Sequence, residues 1–119
     1  GHIVLRGGEH PNYGAEHIAY LKVALRKAGL PQAIIVDCSH ANSGKRYDRQ
    51  RIAFLDVFDQ IHAGETAIAG VMLESYLQPG SQRLEPGCKV IPDLSITDGC
   101  IGWTETEELI RLAYDRVGP

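Results

Sequence analysis

The sequence predicts a parallel α/β fold, and two observations favour that class. Short apolar runs alternate with helical patterns in four successive strand-then-helix units. The runs at residues 33–36 and 67–73 are apolar throughout, which is typical of parallel strands that are covered on both faces. Four such units correspond either to half of a closed barrel or to a small open sheet, and periodicity does not separate these two architectures.

The individual elements follow from the same periodicity and from helix and turn signals. Pro79-Gly80 and Pro86-Gly87 indicate a long loop after the third strand, and Thr104 and Glu107 have the spacing of a capping box at the start of the last helix. The predicted strands cover residues 2–6, 33–38, 67–73 and 95–97, and the predicted helices cover residues 13–28, 48–62 and 104–117.

Each of the three helices has a predicted apolar face, which on the first helix consists of Ile18, Leu21, Leu25 and Ala28. Apolar residues three or four positions apart lie on one side of a helix, so each set is expected to face the core. For the second helix this set is Ile52, Leu55, Phe58 and Ile61, and for the last helix it is Leu109, Ile110, Ala113 and Val117.

Composition narrows the class of protein. A net charge of -3 over 119 residues does not favour binding to nucleic acid or to an anionic membrane. No apolar run approaches the roughly 18 residues of a membrane span, and no signal-peptide pattern opens the chain. Three cysteines without a C-x-x-C spacing favour reduced thiols over a disulfide framework, so we expect a cytoplasmic protein.

The extent of the chain suggests a piece of a larger fold. A strand pattern is already present at the third residue, and 119 residues are well short of the roughly 250 of a complete (β/α)₈ barrel. We therefore expect residues 1–119 to form a single partial domain.

One polar or ionisable residue follows each predicted strand: Arg6, His40, Glu74 and Asp98. In parallel α/β folds the carboxyl ends of the strands carry the functional residues. An imidazole with two carboxylates is a nitrogen and oxygen set that suits one divalent ion such as Mn²⁺, Fe²⁺, Co²⁺ or Zn²⁺. Arg6 suits a carboxylate or phosphate group, to which a guanidinium donates two parallel hydrogen bonds.

Each of these residues also has an ordinary structural interpretation. His40 taken alone fits a hydrogen-bonded loop residue, and Glu74 fits an exposed carboxylate at a strand end. Asp98 before a glycine is typical of a turn, and Arg6 before two glycines fits a solvated cation. Their coincidence at four successive strand ends is what favours a functional site.

The same positions lie in longer strings. These are L-R-G-G at residues 5–8, P-N-Y at 11–13, D-C-S-H-A-N-S at 37–43, G-V-M-L-E-S at 70–75 and S-I-T-D-G-C-I-G-W at 95–103. In this order and spacing the strings resemble a known family, the type I 3-deoxy-D-arabino-heptulosonate 7-phosphate (DAHP) synthases, and the resemblance extends over essentially the whole chain.

This resemblance implies a structure and a set of roles. The chain would be the C-terminal half of a TIM (β/α)₈ barrel and would supply its fifth to eighth βα units. His40, Glu74 and Asp98 would be three of four protein ligands to a divalent metal ion; the fourth, a cysteine from the first barrel strand, has no counterpart among the cysteines of this chain. Arg6 would bind phosphoenolpyruvate, and His40 and Asp98 would take part in catalysis.

The resemblance also implies an activity. DAHP synthase, a transferase also called phospho-2-dehydro-3-deoxyheptonate aldolase, condenses phosphoenolpyruvate with erythrose 4-phosphate and releases phosphate. This is the first step of the shikimate pathway to chorismate and the aromatic amino acids. We expect a homo-oligomer, no nucleic-acid or membrane partner, and little or no activity from the isolated chain. Two alternatives are a related phosphoenolpyruvate-dependent synthase that uses another sugar phosphate, and a non-catalytic truncated α/β module.

Overall fold

A computed structural model describes residues 1–118 and contains three strands and three α-helices. Two short 3₁₀ helices, His40–Ser43 and Tyr47–Arg49, lie between the second strand and the second α-helix. In chain order the strands and α-helices are β1 (Ile3–Leu5), α1 (Ala15–Lys27), β2 (Ile34–Asp37), α2 (Gln50–His62), β3 (Ile68–Met72) and α3 (Trp103–Val117).

The three strands form one parallel sheet in the order β1-β2-β3, which confirms the predicted α/β class. Leu5 pairs with Val36 in the first ladder, and Val36 pairs with Val71 in the second. The register between β2 and β3 shifts between Ile34 and Ile35, and the pairing of the two strands continues beyond this shift. Because all three strands run in the same direction, their carboxyl ends meet at one edge of the sheet.

The core lies between the sheet and the helices. Ile34, Val36 and Cys38 alternate along the β2 segment and are fully buried, because they pack against the helical layer. Ile18 of α1 and Val57 of α2 are equally buried in the same cluster. The opposite face of the sheet is less covered, since Val4 of the edge strand β1 is 50% exposed.

The predicted fourth strand at residues 95–97 is wrong. Within residues 1–118 this region forms only isolated bridges, in which Ser81 pairs with Ser95 and Gly80 with Cys100. A third bridge joins Ser75 to Ile101. The segment after β3 therefore folds back as a loop, and Asp98 lies on that loop instead of at a strand end.

Parts of the helix predictions also need correction. The buried face of α2 is centred on Ala53, Phe54 and Val57, whereas Ile52 is 53% exposed. On α3 Leu109 is buried as predicted, but exposed positions include Ile110 and Val117.

The predicted capping box is also wrong, because α3 begins after Gly102 and has no side-chain cap hydrogen bond. None of the helices in the described part of the chain is long and apolar enough to cross a bilayer.

Candidate metal and anion site

The carboxyl edge of the sheet brings together the residues that the sequence singled out. Arg6 follows β1 directly, His40 opens the 3₁₀ helix after β2, and Glu74 lies just beyond β3. With Asp98 from the loop, these side chains line one cleft of about 320 Å³, which also contacts Ser43, Lys45, Tyr47 and Gly99. All four predicted residues therefore share one site, even though only three of them follow strands.

Three of these side chains have the geometry of a cation site. His40, Glu74 and Asp98 each offer one donor atom, and these atoms all lie within 4.8 Å of one another. His40 Nε2 lies 3.6 Å from Glu74 Oε1. Among residues 1–118 no cysteine belongs to this group.

The charges around Glu74 make a bound cation favourable. Burial raises the pKa of the Glu74 carboxyl, His40 opposes this, and the negative charges of Asp98 and Asp37 raise the pKa further. A divalent ion between the carboxylates would offset their mutual repulsion. One imidazole and two carboxylates also form a donor set that first-row divalent metals accept, so these residues fit such an ion.

Arg6 is the predicted anion-binding residue, and its surroundings suit that role. Its side chain is exposed at the cleft, where Lys45 adds a second positive charge. Within residues 1–118 no carboxylate forms an ion pair with Arg6. The guanidinium is thus available for a carboxylate or phosphate group of a ligand.

Gln50 holds the backbone of Glu74 in place. The Gln50 side chain is fully buried at the first turn of α2. Its Nε2 donates to the Glu74 carbonyl oxygen at 3.0 Å, and its Oε1 accepts from the Glu74 N–H at 2.8 Å. One side-chain amide therefore bonds both backbone groups of Glu74, whose carbonyl oxygen also accepts from the Ile101 N–H at 2.9 Å.

Asn42 joins the carboxyl ends of β1 and β2. Its Nδ2 donates to the carbonyl oxygens of Leu5, at 3.1 Å, and of Asp37, at 2.8 Å. Its Oδ1 accepts from the Asn12 N–H at 2.8 Å. Gly7 has φ +80°, and a Cβ there would lie 2.8 Å from the Asn42 backbone nitrogen, so the close approach of the two segments requires glycine.

The segment that carries Asp98 is held differently, by an aromatic ring. A Cβ at Gly99 would lie 2.7 Å from Tyr47 Cδ1, so the ring packs directly on this glycine. Asp98 itself is exposed, and so are Ile96 and Thr97 before it. Ring packing and the Gly80–Cys100 bridge therefore position Asp98 with little burial.

Several residues that support the site were not singled out from the sequence. Asp37 and Asn42 lie inside the D-C-S-H-A-N-S string, but nothing in that string separates a supporting residue from a ligand. Gln50 and Tyr47 carry no local signal at all, because their partners are more than 20 residues away along the chain. All three cysteines are free, and Cys38 is fully buried.

The chain is similar in sequence to proteins of one known family. The sequence model of the DAHP synthetase I family matches residues 1–111. The Phe-sensitive phospho-2-dehydro-3-deoxyheptonate aldolase of Escherichia coli (strain K12) is 52% identical over 110 residues, which are 92% of this chain and 31% of that protein. The Trp-sensitive protein of the same name from Enterobacter agglomerans is 42% identical over 117 residues, which are 98% of this chain and 34% of that protein.

The fold of the chain is also similar to that of a solved structure. The phospho-2-dehydro-3-deoxyheptonate aldolase of Francisella tularensis SCHU S4 superposes with a TM-score of 0.91 at 34% identity, over 98% of this chain and 34% of that one. The chain thus spans about a third of the length of the proteins it matches. Since the family model covers all but the last eight residues, the chain belongs to the DAHP synthetase I family.

Proposed function

We propose that residues 1–119 form a single partial domain, the C-terminal half of a (β/α)₈ barrel, and contribute its fifth to eighth βα units. The parallel sheet, with helices on one side and open edges at β1 and β3, supplies three of the four strands that such a half would contain. The superposition on about a third of the Francisella tularensis chain supports this proposal.

The activity proposed for the complete protein is DAHP synthesis, and the observation that carries it is the cluster of His40, Glu74 and Asp98 donor atoms within 4.8 Å. These three residues would hold one divalent ion, Mn²⁺, Fe²⁺, Co²⁺ or Zn²⁺. Such an ion would supply Lewis-acid polarisation of the aldehyde substrate. The two relatives named above are both called phospho-2-dehydro-3-deoxyheptonate aldolase, which supports the assignment.

The remaining chemistry would come from the side chains of the cleft. Arg6 would bind and orient the phosphoenolpyruvate anion, whose carbon 3 attacks the aldehyde carbon of erythrose 4-phosphate. Water would then add at carbon 2, and phosphate would leave by cleavage of its C–O bond. Asp98, which is exposed at the cleft, would orient a hydroxyl group of erythrose 4-phosphate, and His40 would lie close to phosphoenolpyruvate.

We further propose a cytoplasmic homo-oligomer that works at the entry to the shikimate pathway. Three free cysteines suit a reducing compartment. The unpaired edges of β1 and β3 and the exposed apolar side chains of β1 suit pairing with further protein.

A chimeric protein tests the proposal. The 110-residue segment of the Phe-sensitive Escherichia coli protein that matches this chain would be replaced by the corresponding segment of this chain. Release of phosphate from phosphoenolpyruvate would be measured with and without erythrose 4-phosphate. We expect phosphate release that depends on erythrose 4-phosphate, and we expect arabinose 5-phosphate not to replace it. The isolated 119-residue chain should release little or none.

Two substitutions in the chimera connect the result to the site. Glu74→Ala should abolish phosphate release, and Arg6→Ala should raise the KM for phosphoenolpyruvate more than that for erythrose 4-phosphate. His62→Ala, on the far end of α2, is the control and should leave activity unchanged. A folded but inactive chimera would favour the non-catalytic module, and phosphate release that survives Glu74→Ala would contradict the site assignment.

A further inference from the structure

Asp37 is a buried carboxylate directly behind the His40 ring. It is only 3% exposed, at the last position of β2. Its Oδ1 accepts from the Ser39 N–H at 2.8 Å and from the Ser39 hydroxyl at 2.6 Å. Its Oδ2 lies 2.7 Å from His40 Nδ1. Both carboxylate oxygens therefore have fixed partners, and one of those partners is the ring of the proposed metal ligand.

Counting protons around this group determines which ring nitrogen carries hydrogen. The single hydroxyl proton of Ser39 is used in the bond to Asp37, so Ser39 Oγ can offer only a lone pair to His40 Nδ1, at 2.8 Å. Asp37 Oδ2 is likewise an acceptor. Nδ1 thus faces two acceptors and must itself be the donor.

The other nitrogen is then free for a cation. In a neutral imidazole only one nitrogen is protonated, so a proton on Nδ1 leaves a lone pair on Nε2. Nε2 is the nitrogen on the cleft side, 3.6 Å from Glu74 Oε1. This distance is too long for a hydrogen bond and leaves room for an ion bound to both atoms.

The backbone at this position also needs support. His40 has φ +46°, a left-handed conformation that non-glycine residues rarely adopt. Its carbonyl oxygen accepts from the Lys45 N–H at 2.7 Å and from the Ser43 hydroxyl at 3.1 Å. The bond from the ring to Asp37 adds a third anchor, on the side chain, so both the ring and the backbone of His40 have a defined orientation.

We propose that Asp37 is a positioning residue, which holds His40 in the Nδ1–H tautomer and aims the Nε2 lone pair at the metal position shared with Glu74 and Asp98. The inference rests on the metal site of the proposed function but concerns the ring of the metal-free chain. Outer carboxylate partners of this kind orient histidine ligands in metal sites generally, and their loss weakens metal affinity roughly 10- to 100-fold.

The first measurement uses the unsubstituted chain without metal. ¹⁵N NMR of the His40 ring, at a pH above the ordinary imidazole range, distinguishes the two neutral tautomers by their nitrogen shifts. We expect a protonated Nδ1 and a bare Nε2, and a ring with the proton on Nε2 would overturn the proposal.

Asp37→Asn tests the role of the carboxylate with almost no change of shape. The asparagine oxygen can keep both bonds from Ser39, which places its NH₂ group opposite His40 Nδ1 and makes that nitrogen an acceptor. We expect the His40 proton to move to Nε2 and the affinity for Mn²⁺, measured by calorimetry with the metal alone, to fall roughly 10- to 100-fold. Ser39→Ala removes the hydroxyl but keeps the Asp37 bond, so the tautomer should remain Nδ1–H.

Asp59→Asn is the matched control. Asp59 lies on α2, pairs with Arg116 at 2.6 Å and does not line the cleft, so its substitution should change neither the tautomer nor Mn²⁺ affinity. An Nδ1–H tautomer in Asp37→Asn, or native Mn²⁺ affinity there, would overturn the role of Asp37. If the unsubstituted chain holds the Nδ1–H tautomer and takes up no Mn²⁺, the metal assignment in this chain fails, whereas the tautomer assignment to Asp37 is supported.

Discussion

The two sides of the candidate site are built in different ways. His40 and Glu74 follow β2 and β3, and buried polar side chains fix them: Asp37 bonds the His40 ring, and Gln50 bonds the Glu74 backbone. Asp98 lies on the loop between β3 and α3, is exposed, and is positioned by isolated bridges and by the Tyr47 ring against Gly99.

We call His40 and Glu74 the preorganised part of the site, and Asp98 with its loop the adaptable part. A metal ligand that is held by buried side chains loses little conformational entropy when an ion binds, because its geometry already exists. A ligand on an exposed loop can adjust its position, at the cost of weaker preorganisation. We therefore expect substitutions near His40 and Glu74 to affect metal binding more than substitutions near Asp98.

The largest effect is expected from His40→Ala, which removes a ligand from the preorganised part. Loss of a ligand should exceed the roughly 10- to 100-fold effect of losing an outer partner, so Mn²⁺ affinity should fall more than about 100-fold. Calorimetric titration with Mn²⁺ gives the measurement, and His62→Ala, near the far end of α2, is the control. Unchanged Mn²⁺ binding in His40→Ala would remove His40 from the ligand set.

Gln50→Met should have the next largest effect, because it leaves the Glu74 N–H without a partner in a partly buried position, whereas the Glu74 carbonyl oxygen keeps its bond from the Ile101 N–H. We expect a loss of about 1–3 kcal/mol in the free energy of unfolding, measured with urea. Mn²⁺ affinity should fall roughly 10- to 100-fold, as for a lost outer partner.

Gln60→Met is the matched control for Gln50. Gln60 lies on the same helix and donates to the Tyr13 carbonyl at 2.9 Å, but it does not line the cleft. It should reduce stability without changing Mn²⁺ affinity. Equal Mn²⁺ affinity in the two variants would show that Gln50 supports the fold and not the site.

Gly99→Ala probes the adaptable part and should have a smaller effect. The new methyl group would lie 2.7 Å from Tyr47 Cδ1, so the ring or the loop must move. Because the exposed loop can yield, we expect Mn²⁺ affinity to fall by less than roughly tenfold, with little change in the unfolding temperature. Gly8→Ala, where a Cβ has no atom within 4 Å, is the control. A loss larger than that of Gln50→Met would reverse the proposed difference between the two parts.

The smallest perturbation is chemical labelling of the native chain. Burial, and secondarily the charge of Asp37, raises the pKa of the Cys38 thiol to about 12, so Cys38 stays a protonated thiol at pH 8. Cys88 is exposed on the long loop, and burial raises the pKa of the partly exposed Cys100. Iodoacetamide followed by mass spectrometry should modify Cys88 first, then Cys100, and Cys38 only after unfolding. Early modification of Cys38 would contradict a tightly packed β2 end.

The parts of the fold that were predicted correctly depend on local signals. Neighbouring residues alone define the apolar runs of β2 and β3 and the helical periodicity of α1 and α2. The predicted positions of these elements therefore agree with the structure to within a few residues. The wrong prediction at residues 95–97 has the opposite cause. That segment has strand-like residues, but the bridges that form there depend on where residues 80 and 81 lie.

The candidate ligands were identifiable for a related reason. Arg6, His40 and Glu74 follow apolar runs, and the carboxyl ends of parallel strands meet at one edge whatever the intervening sequence. The residue types alone therefore indicated a cation and an anion site, and the motif strings indicated the family. The family assignment was confirmed by the comparisons, whereas the role of each residue stays a prediction that the variants above test.

By itself, then, the sequence determined the α/β class, the family and the set of candidate ligands, because these follow from local periodicity and from short strings. Only the tertiary structure decided which residues support those ligands. Gln50 meets Glu74 across 24 positions, and Asn42 reaches Leu5 across 37. Tyr47 packs on Gly99 from another element. Such contacts arise from the packing of α2 and the loop against the sheet, and no pattern of neighbouring residues specifies them.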